Sequence, residues 1–235
     1  MTEDISTSNL ITDGSLTTIQ KARYARHIML PQVGEKGQKK INSSSVLVVG
    51  AGGLGSPVLM YLAAAGIGKI GIIDDDVVEI TNLQRQIIHS TSSIGELKVD
   101  SAKRRILQIN PEINVEIYNF RLGVDNIESI VENYDIIVDG TDNFATRYTI
   151  SDCCEILGKP WVFGSIHRFE GQVSVFNLNG SPNYRDLFPR APPPELAPNC
   201  AEAGVLGVLP GMIGSFQANE VLKIVLGKGN TLDGE

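Results

Sequence analysis

Apolar residues recur along this chain with two different periods. Val46, Leu47, Val48 and Val49 form an unbroken apolar run, as expected of a strand buried on both faces of a sheet. Glycines follow, and then a helix over 57–65, with Pro57 suited to a first turn and Gly66 to the position just past the last. A second short strand over 69–74 completes a βαβ unit. Val99, Ala102, Ile106 and Ile109 recur at helical spacing, which predicts a helix over 96–109 stopped by Pro111. Ile113, Val115 and Ile117 alternate as in a strand. Helices are expected over 126–133 and 144–157, the second closed by Gly158, with a buried strand over 135–139 between them. Strands follow over 161–165 and 172–177. A final amphipathic helix over 211–226 offers Ile213, Phe216, Val221, Leu222 and Val225 for burial. Near the start, a short helix over 19–28 carries Arg23, Tyr24, Arg26 and His27.

Two segments lack either period. Residues 1–17 are rich in Ser, Thr, Asp and Asn and read as a flexible tail, which leaves 18–235 as one domain. Within 181–198, Pro182, Pro189, Pro192, Pro193, Pro194 and Pro198 predict a loop with little regular structure. Strands alternating with helices predict an α/β class: a Rossmann-like, mostly parallel sheet with helices on both faces and antiparallel strands toward the C-terminus.

Composition narrows the function classes. The net charge of −7 argues against a general nucleic-acid binder, which needs a basic face for the phosphates, but leaves room for one small anion held by a few placed cations. No apolar stretch is long enough to span a bilayer. The N-terminus lacks a basic start followed by an apolar run, and its acidic residues do not suit a transit peptide. Three cysteines are too few for a disulfide framework, and Cys153 and Cys154 fall in a helical pattern that reads as core. A reduced, cytoplasmic protein is the expectation.

The glycines after the first strand carry the first candidate chemistry. Gly50, Gly52, Gly53, Leu54 and Gly55 fit G-x-G-x-x-G between a strand and a helix. Glycine suits such a turn because a side chain would hold a phosphate away from the backbone N–H groups and from the positive end of the following helix. Asp74, ending the next strand, holds the usual ribose-binding position. These residues alone also suit a nicotinamide-dependent oxidoreductase. The cations that follow fit that reading poorly: Arg85 and Lys98 suit an enzyme that expels pyrophosphate, where charge builds on the leaving phosphates. Solvated surface charges are the plainer alternative for both. Asp142 and Asn143 follow the strand over 135–139, at the sheet edge where such folds bind ligands. Asp142 can hold Mg²⁺ together with phosphates, or simply cap the next helix, and Arg147 can pair with Asp142 or reach a ligand.

These motifs together resemble the MoeB/ThiF-type activating enzymes of the ubiquitin-activating-enzyme superfamily. The matching segments are R-Y-x-R-H at 23–27, G-A-G-G-L-G at 50–55, D-x-D-x-V at 74–78, N-L-Q-R-Q at 82–86, Lys98 and T-D-N-x-x-x-R at 141–147, followed by E-G-Q at 170–172 and C-A-E-A-G-V-L-G-V-L-P-G at 200–211. The likeness covers about 19–227 and is nearest to the MoeB-like half of adenylyltransferase–sulfurtransferases. It implies that ATP and Mg²⁺ adenylate the Gly-Gly carboxylate of a ubiquitin-like sulfur carrier of MoaD or ThiS type. A rhodanese or a cysteine desulfurase then supplies sulfur for molybdopterin, thiamin or thiolated-tRNA synthesis.

By this resemblance Asp74 binds ribose, Arg85 and Lys98 contact phosphates, Asp142 holds Mg²⁺, and Asn82, Gln84 and Asn143 join the nucleotide site. Arg26 reaches into the partner subunit's site, so a homodimer is implied. Cys200 sits where relatives have a loop cysteine, with a role in later sulfur transfer as one reading and plain packing as the other. Relatives often bind a structural zinc through two C-x-x-C pairs; Asn183 and Asp186 stand at the first pair and the second is absent, so no zinc is expected. Tyr184, Leu187 and Phe188 are expected to order that loop by packing, and His27, His89 and His167 to serve as structural hydrogen-bonding residues. Relatives continue past Glu235 with further strands, so a fragment of a longer protein is one expectation and an adenylyltransferase domain as it stands the other. A nucleotide-binding scaffold without catalysis is the remaining alternative.

Overall fold

The structure is a computed structural model and describes residues 15–192 and 204–234. Among these residues a six-stranded sheet runs in the order β3-β2-β1-β4-β5-β6. Its strands are β1 (Ser45–Val49), β2 (Lys69–Ile73), β3 (Asn114–Tyr118), β4 (Ile136–Asp139), β5 (Trp161–His167) and β6 (Glu170–Phe176). The first five are parallel, with Val46 in register with Ile70 on one side and Ile136 on the other, and only β6 runs antiparallel, against β5. The expected Rossmann-like architecture is therefore observed.

Both faces of the sheet are buried. Val46, Val48, Ile70 and Ile72 meet Val58, Leu59 and Leu62 of helix α4 (Gly55–Ala65) and Val99, Ala102 and Ile106 of α5 (Lys98–Ile109). Leu47, Val49 and Ile137 face the other way, toward α6 (Ile127–Val131) and α7 (Phe144–Leu157). The period-2 alternation of a strand thus supplies two cores at once. Cys153 and Cys154 are buried in the second, and burial pushes the Cys153 thiol up to about 11.

Several boundaries differ from the sequence reading. The helix expected over 19–28 is broken at Tyr24 into α1 (Thr18–Arg23) and α2 (Ala25–Ile28). Tyr24 is buried beside Gly66, and its hydroxyl accepts a hydrogen bond from Asn110 Nδ2 at 2.8 Å, so a tertiary anchor overrides the helical run. Helix α3 (Gly34–Ser43) was not expected, because its one large apolar residue is Ile41. Its packing depends on Gly37, where a Cβ would come within 2.9 Å of Leu226, a contact invisible to periodicity.

The last two strands form one hairpin turning at Arg168 and Phe169, so Glu170 and Gly171 lie in β6 rather than before it. Gly171 opens the place that Ile213 fills. The last helix, α9 (Val208–Leu226), begins earlier than expected, and Phe216 is exposed rather than buried. The proline-rich segment contains a short helix, α8 (Tyr184–Leu187), because Asn183 and Asp186 cap it reciprocally. Tyr184 packs as expected, against Trp161, Phe163 and Phe176, whereas Leu187 is exposed. No described helix is long and apolar enough to cross a membrane.

Candidate active site

In a parallel sheet, a crevice opens where neighbouring strands send their connections to opposite faces. Here that point lies between β1, which leads into α4, and β4, which leads into α7. A cavity of about 900 Å³ opens there.

The β1–α4 turn forms its floor. Gly50 has φ +97, and a Cβ on it would come within 2.7 Å of the Gly140 carbonyl at the end of β4, so only glycine fits. Gly50, Gly52, Gly53 and Leu54 line the cavity. Gly55 stands behind the turn, where a Cβ would strike the Gly50 carbonyl, and lets α4 begin close beneath it. The turn thus turns backbone N–H groups and the N-terminal end of α4 toward the cavity.

Acids and cations gather at the next strand end. Asp74 accepts hydrogen bonds from Ala51 N–H at 2.8 Å and Asp76 N–H at 2.9 Å. Burial pushes its carboxyl above the usual carboxylate range, while Lys98 and the two N–H groups pull it back. Lys98 opens α5 and points its ammonium at Asp76, 2.7 Å away. Its side chain is only 7% exposed, which rules out the solvated-surface reading for this cation. A cation at a helix N-terminus opposes the helix dipole, so the position is costly unless negative charge is held nearby. Arg85 is half-buried on the cavity wall, with Nη1 donating to the Thr81 carbonyl at 3.2 Å.

Asp142 and Asn143 enter from the β4 side. Asn143, not Asp142, caps α7, accepting from Thr146 N–H. Arg147 pairs not with Asp142 but with Asp139, at 3.3 Å, with both side chains buried. Asp139 accepts two further bonds from Thr141, and the Arg147 guanidinium lies over the rings of Phe144 and Phe163. Asp142 is left as an exposed carboxylate on the cavity wall, with no ion pair among the described residues.

Part of the cavity wall comes from the hairpin and the segment after it, notably Phe163, Gln172, Tyr184, Phe188 and Arg190. That segment is tied to α7, since Tyr148 donates to the Phe188 carbonyl and Arg185 pairs with Asp152.

Some expected site residues lie elsewhere. Asn82 holds a single helical turn by accepting from Glu79 N–H, and it faces a small side pocket with Asp76 and Lys98. Gln84 is exposed and rests against Gly207. Arg26 lies on α2, near the Gly66 end of α4 through its neighbour Tyr24. The cavity is at the other end of that 11-residue helix, roughly 16 Å away at 1.5 Å per residue. Cys200 lies outside the described residues. Sequence reasoning overlooked Gln86, which lines the cavity against Gly52 with its Oε1 unpaired among the described residues; its place in N-L-Q-R-Q was the available signal.

Residues 24–235 match the ThiF family model. The chain belongs to the ThiF family. Among its relatives is the sulfur carrier protein adenylyltransferase of Thermus thermophilus, 51% identical over 90% of this chain and 80% of that protein. Another is the probable adenylyltransferase/sulfurtransferase MoeZ of Mycobacterium tuberculosis, 49% identical over 94% of this chain and 57% of that protein. The chain spans about half the length of most of the curated relatives it matches. Among solved structures, E. coli MccB with ATP superposes with a TM-score of 0.74 at 22% identity, over 89% of this chain and 65% of that one. At that identity the likeness speaks for the fold. This ThiF-family chain thus carries its nucleotide-type turn, its cations and Asp142 around one cavity.

Proposed function

We propose that the chain uses ATP to adenylate the C-terminal Gly-Gly carboxylate of a ubiquitin-like sulfur carrier of MoaD or ThiS type. The observation that carries this reading is the cavity wall itself: the glycine turn, a buried Lys98, Arg85 and Asp142, which has no ion pair among the described residues, line one space.

The chemistry follows from these groups. Asp74 holds the ribose, and the N–H groups of the turn hold phosphate oxygens. The carrier carboxylate, entering along the wall formed by the hairpin and α8, attacks the α-phosphorus in line. A carboxylate O–P bond forms, the bond from the α-phosphorus to the bridging oxygen breaks, and pyrophosphate leaves with the electron pair. No general base is needed, because the attacking carboxylate is already ionised. Arg85 and Lys98 stabilise the charge that grows on the leaving group. The free carboxylate of Asp142 suits Mg²⁺, which favours few carboxylates plus phosphate oxygens. Bound there, Mg²⁺ neutralises phosphate charge.

Arg26 is too far from its own cavity to act there, which supports its service in the site of a partner subunit and hence a homodimer. Cys200 belongs to the later sulfur transfer, with a rhodanese or cysteine desulfurase as donor. We place the reaction in the cytoplasm.

The test mixes the purified chain with ATP, Mg²⁺ and a Gly-Gly-ending carrier and reads the carrier mass. A carrier enlarged by AMP, lost when the terminal glycines are deleted, is the expected result. No adduct with several carriers, even with a C-terminally extended chain, would leave a nucleotide-binding scaffold.

A further inference from the structure

His89 follows the N-L-Q-R-Q run, and its imidazole is buried at 7% exposure between the glycine turn and α5. Its Nε2 lies 2.9 Å from the Ala51 carbonyl and its Nδ1 lies 2.9 Å from Ser101 Oγ. A carbonyl only accepts, so Nε2 carries the proton and donates; Nδ1 then accepts from the Ser101 hydroxyl. In the neutral ring these bonds set the Nε2–H tautomer.

Ala51 is held from both sides as a result. Its N–H donates to Asp74 and its carbonyl accepts from His89. The peptide that follows this carbonyl carries the N–H of Gly52, on the cavity wall. Rotating that peptide would move the carbonyl off His89 and redirect the Gly52 N–H. Ser101 lies one helical turn into α5 from Lys98, so the same ring ties the turn to the helix that carries the phosphate-facing cation.

We infer that His89 is a positioning residue: as a neutral imidazole it orients the Ala51–Gly52 peptide for phosphate binding and keeps the glycine turn in register with Lys98. The inference rests on the proposed nucleotide site. Burial and the Lys98 charge lower the His89 pKa, against the Ala51 bond, which raises it. The charges nearest the ring are Lys98 from α5, with its partner Asp76, and Asp74 across Ala51.

The test measures ATP affinity by calorimetry, alongside thermal unfolding, for the parent, His89→Ala, His89→Gln and Ser101→Ala. A Gln amide nitrogen can stand in for Nε2 as donor, whereas Ala leaves the Ala51 carbonyl without a partner. His89→Ala is expected to weaken ATP binding about tenfold, and His89→Gln to recover most of it, as one directed hydrogen bond would. Ser101→Ala, which removes the partner of Nδ1 and the tie to α5 but keeps the ring and its bond to Ala51, is expected to cost about threefold. Folded His89→Ala protein that binds ATP like the parent would overturn the inference, and so would a folded His89→Gln variant no better than Ala. Should His89→Ala fail to fold, unchanged affinity in Ser101→Ala would overturn it instead. A parent chain that binds no ATP would remove the proposed nucleotide site itself, a result distinct from all of these.

Discussion

Arg85 and Lys98 are both cations, but their settings differ. Lys98 is buried against Asp76, so its removal disturbs the local charge balance as well as any ligand contact. Arg85 is half-exposed and gives up only a bond to the Thr81 carbonyl, which makes it the cleaner probe of charge stabilisation. Arg85→Ala is expected to lower adenylate formation by about 10²–10³-fold, while the carrier still binds. Single-turnover assays beside a pull-down check both halves. His89 adds a pH effect on stability. Its folded pKa lies below the unfolded 6.5, so between the two values the unfolded chain binds more protons. Stability is then complete above pH 6.5 and falls as pH drops toward the folded value. Unfolding midpoints should therefore fall on acidification through this window, and fall less in His89→Gln.

At this scale the sequence was legible where chemistry and position coincided. Gly50, Asp74 and Lys98 stand at strand and helix ends that the apolar runs locate. Asn82 and Gln84 do not line the main cavity, because their motif curls into a tight turn that leaves Asn82 facing the side pocket of Asp76 and Lys98. The Asp139–Arg147 pair was missed because burial, not spacing, makes it.

Elements with a clear apolar period, β1, α4, β2 and α5, were found within a few residues. Helix α3, which rests on Leu226 through Gly37, was not, whereas the two strands of the hairpin were found within two residues and only their extension to the turn at Arg168 and Phe169 was missed. Helix α8 matters most to the cavity wall that follows the hairpin. Its cap and the bonds from Arg185 and Tyr148 hold the segment that carries Phe188 and Arg190. Tyr148→Phe removes one of those bonds, at a cost of about 1 kcal/mol. The expected result is a raised KM for the carrier with ATP affinity unchanged, read by steady-state assays with each substrate varied in turn.

For the whole molecule, the placement of Arg26 at the far end of α4 makes a sharp prediction. Arg26→Ala and Asp142→Ala chains should each be inactive alone. After mixing and subunit exchange, each mixed dimer regains one complete site, so activity should recover to about a quarter of the parent level if exchange is random. No recovery, with exchange verified by native mass spectrometry, would overturn the service of Arg26 in the partner's site, and an active Arg26→Ala chain would place it outside the reaction.

The crevice between β1 and β4 exists because the chain leaves those strands on opposite faces of the sheet. The glycine turn, Asp74, Arg85 and Lys98 all precede β4, whereas Phe163, Gln172, Tyr184 and Phe188 all follow it. Under the proposed function, ATP and the acyl substrate are handled by successive stretches of the chain that meet at Asp142, just after β4. Evolution can exchange the second stretch for another clientele and inherit the phosphate chemistry of the first untouched. Grafting 144–192 from a relative with a different carrier is the corresponding laboratory shortcut.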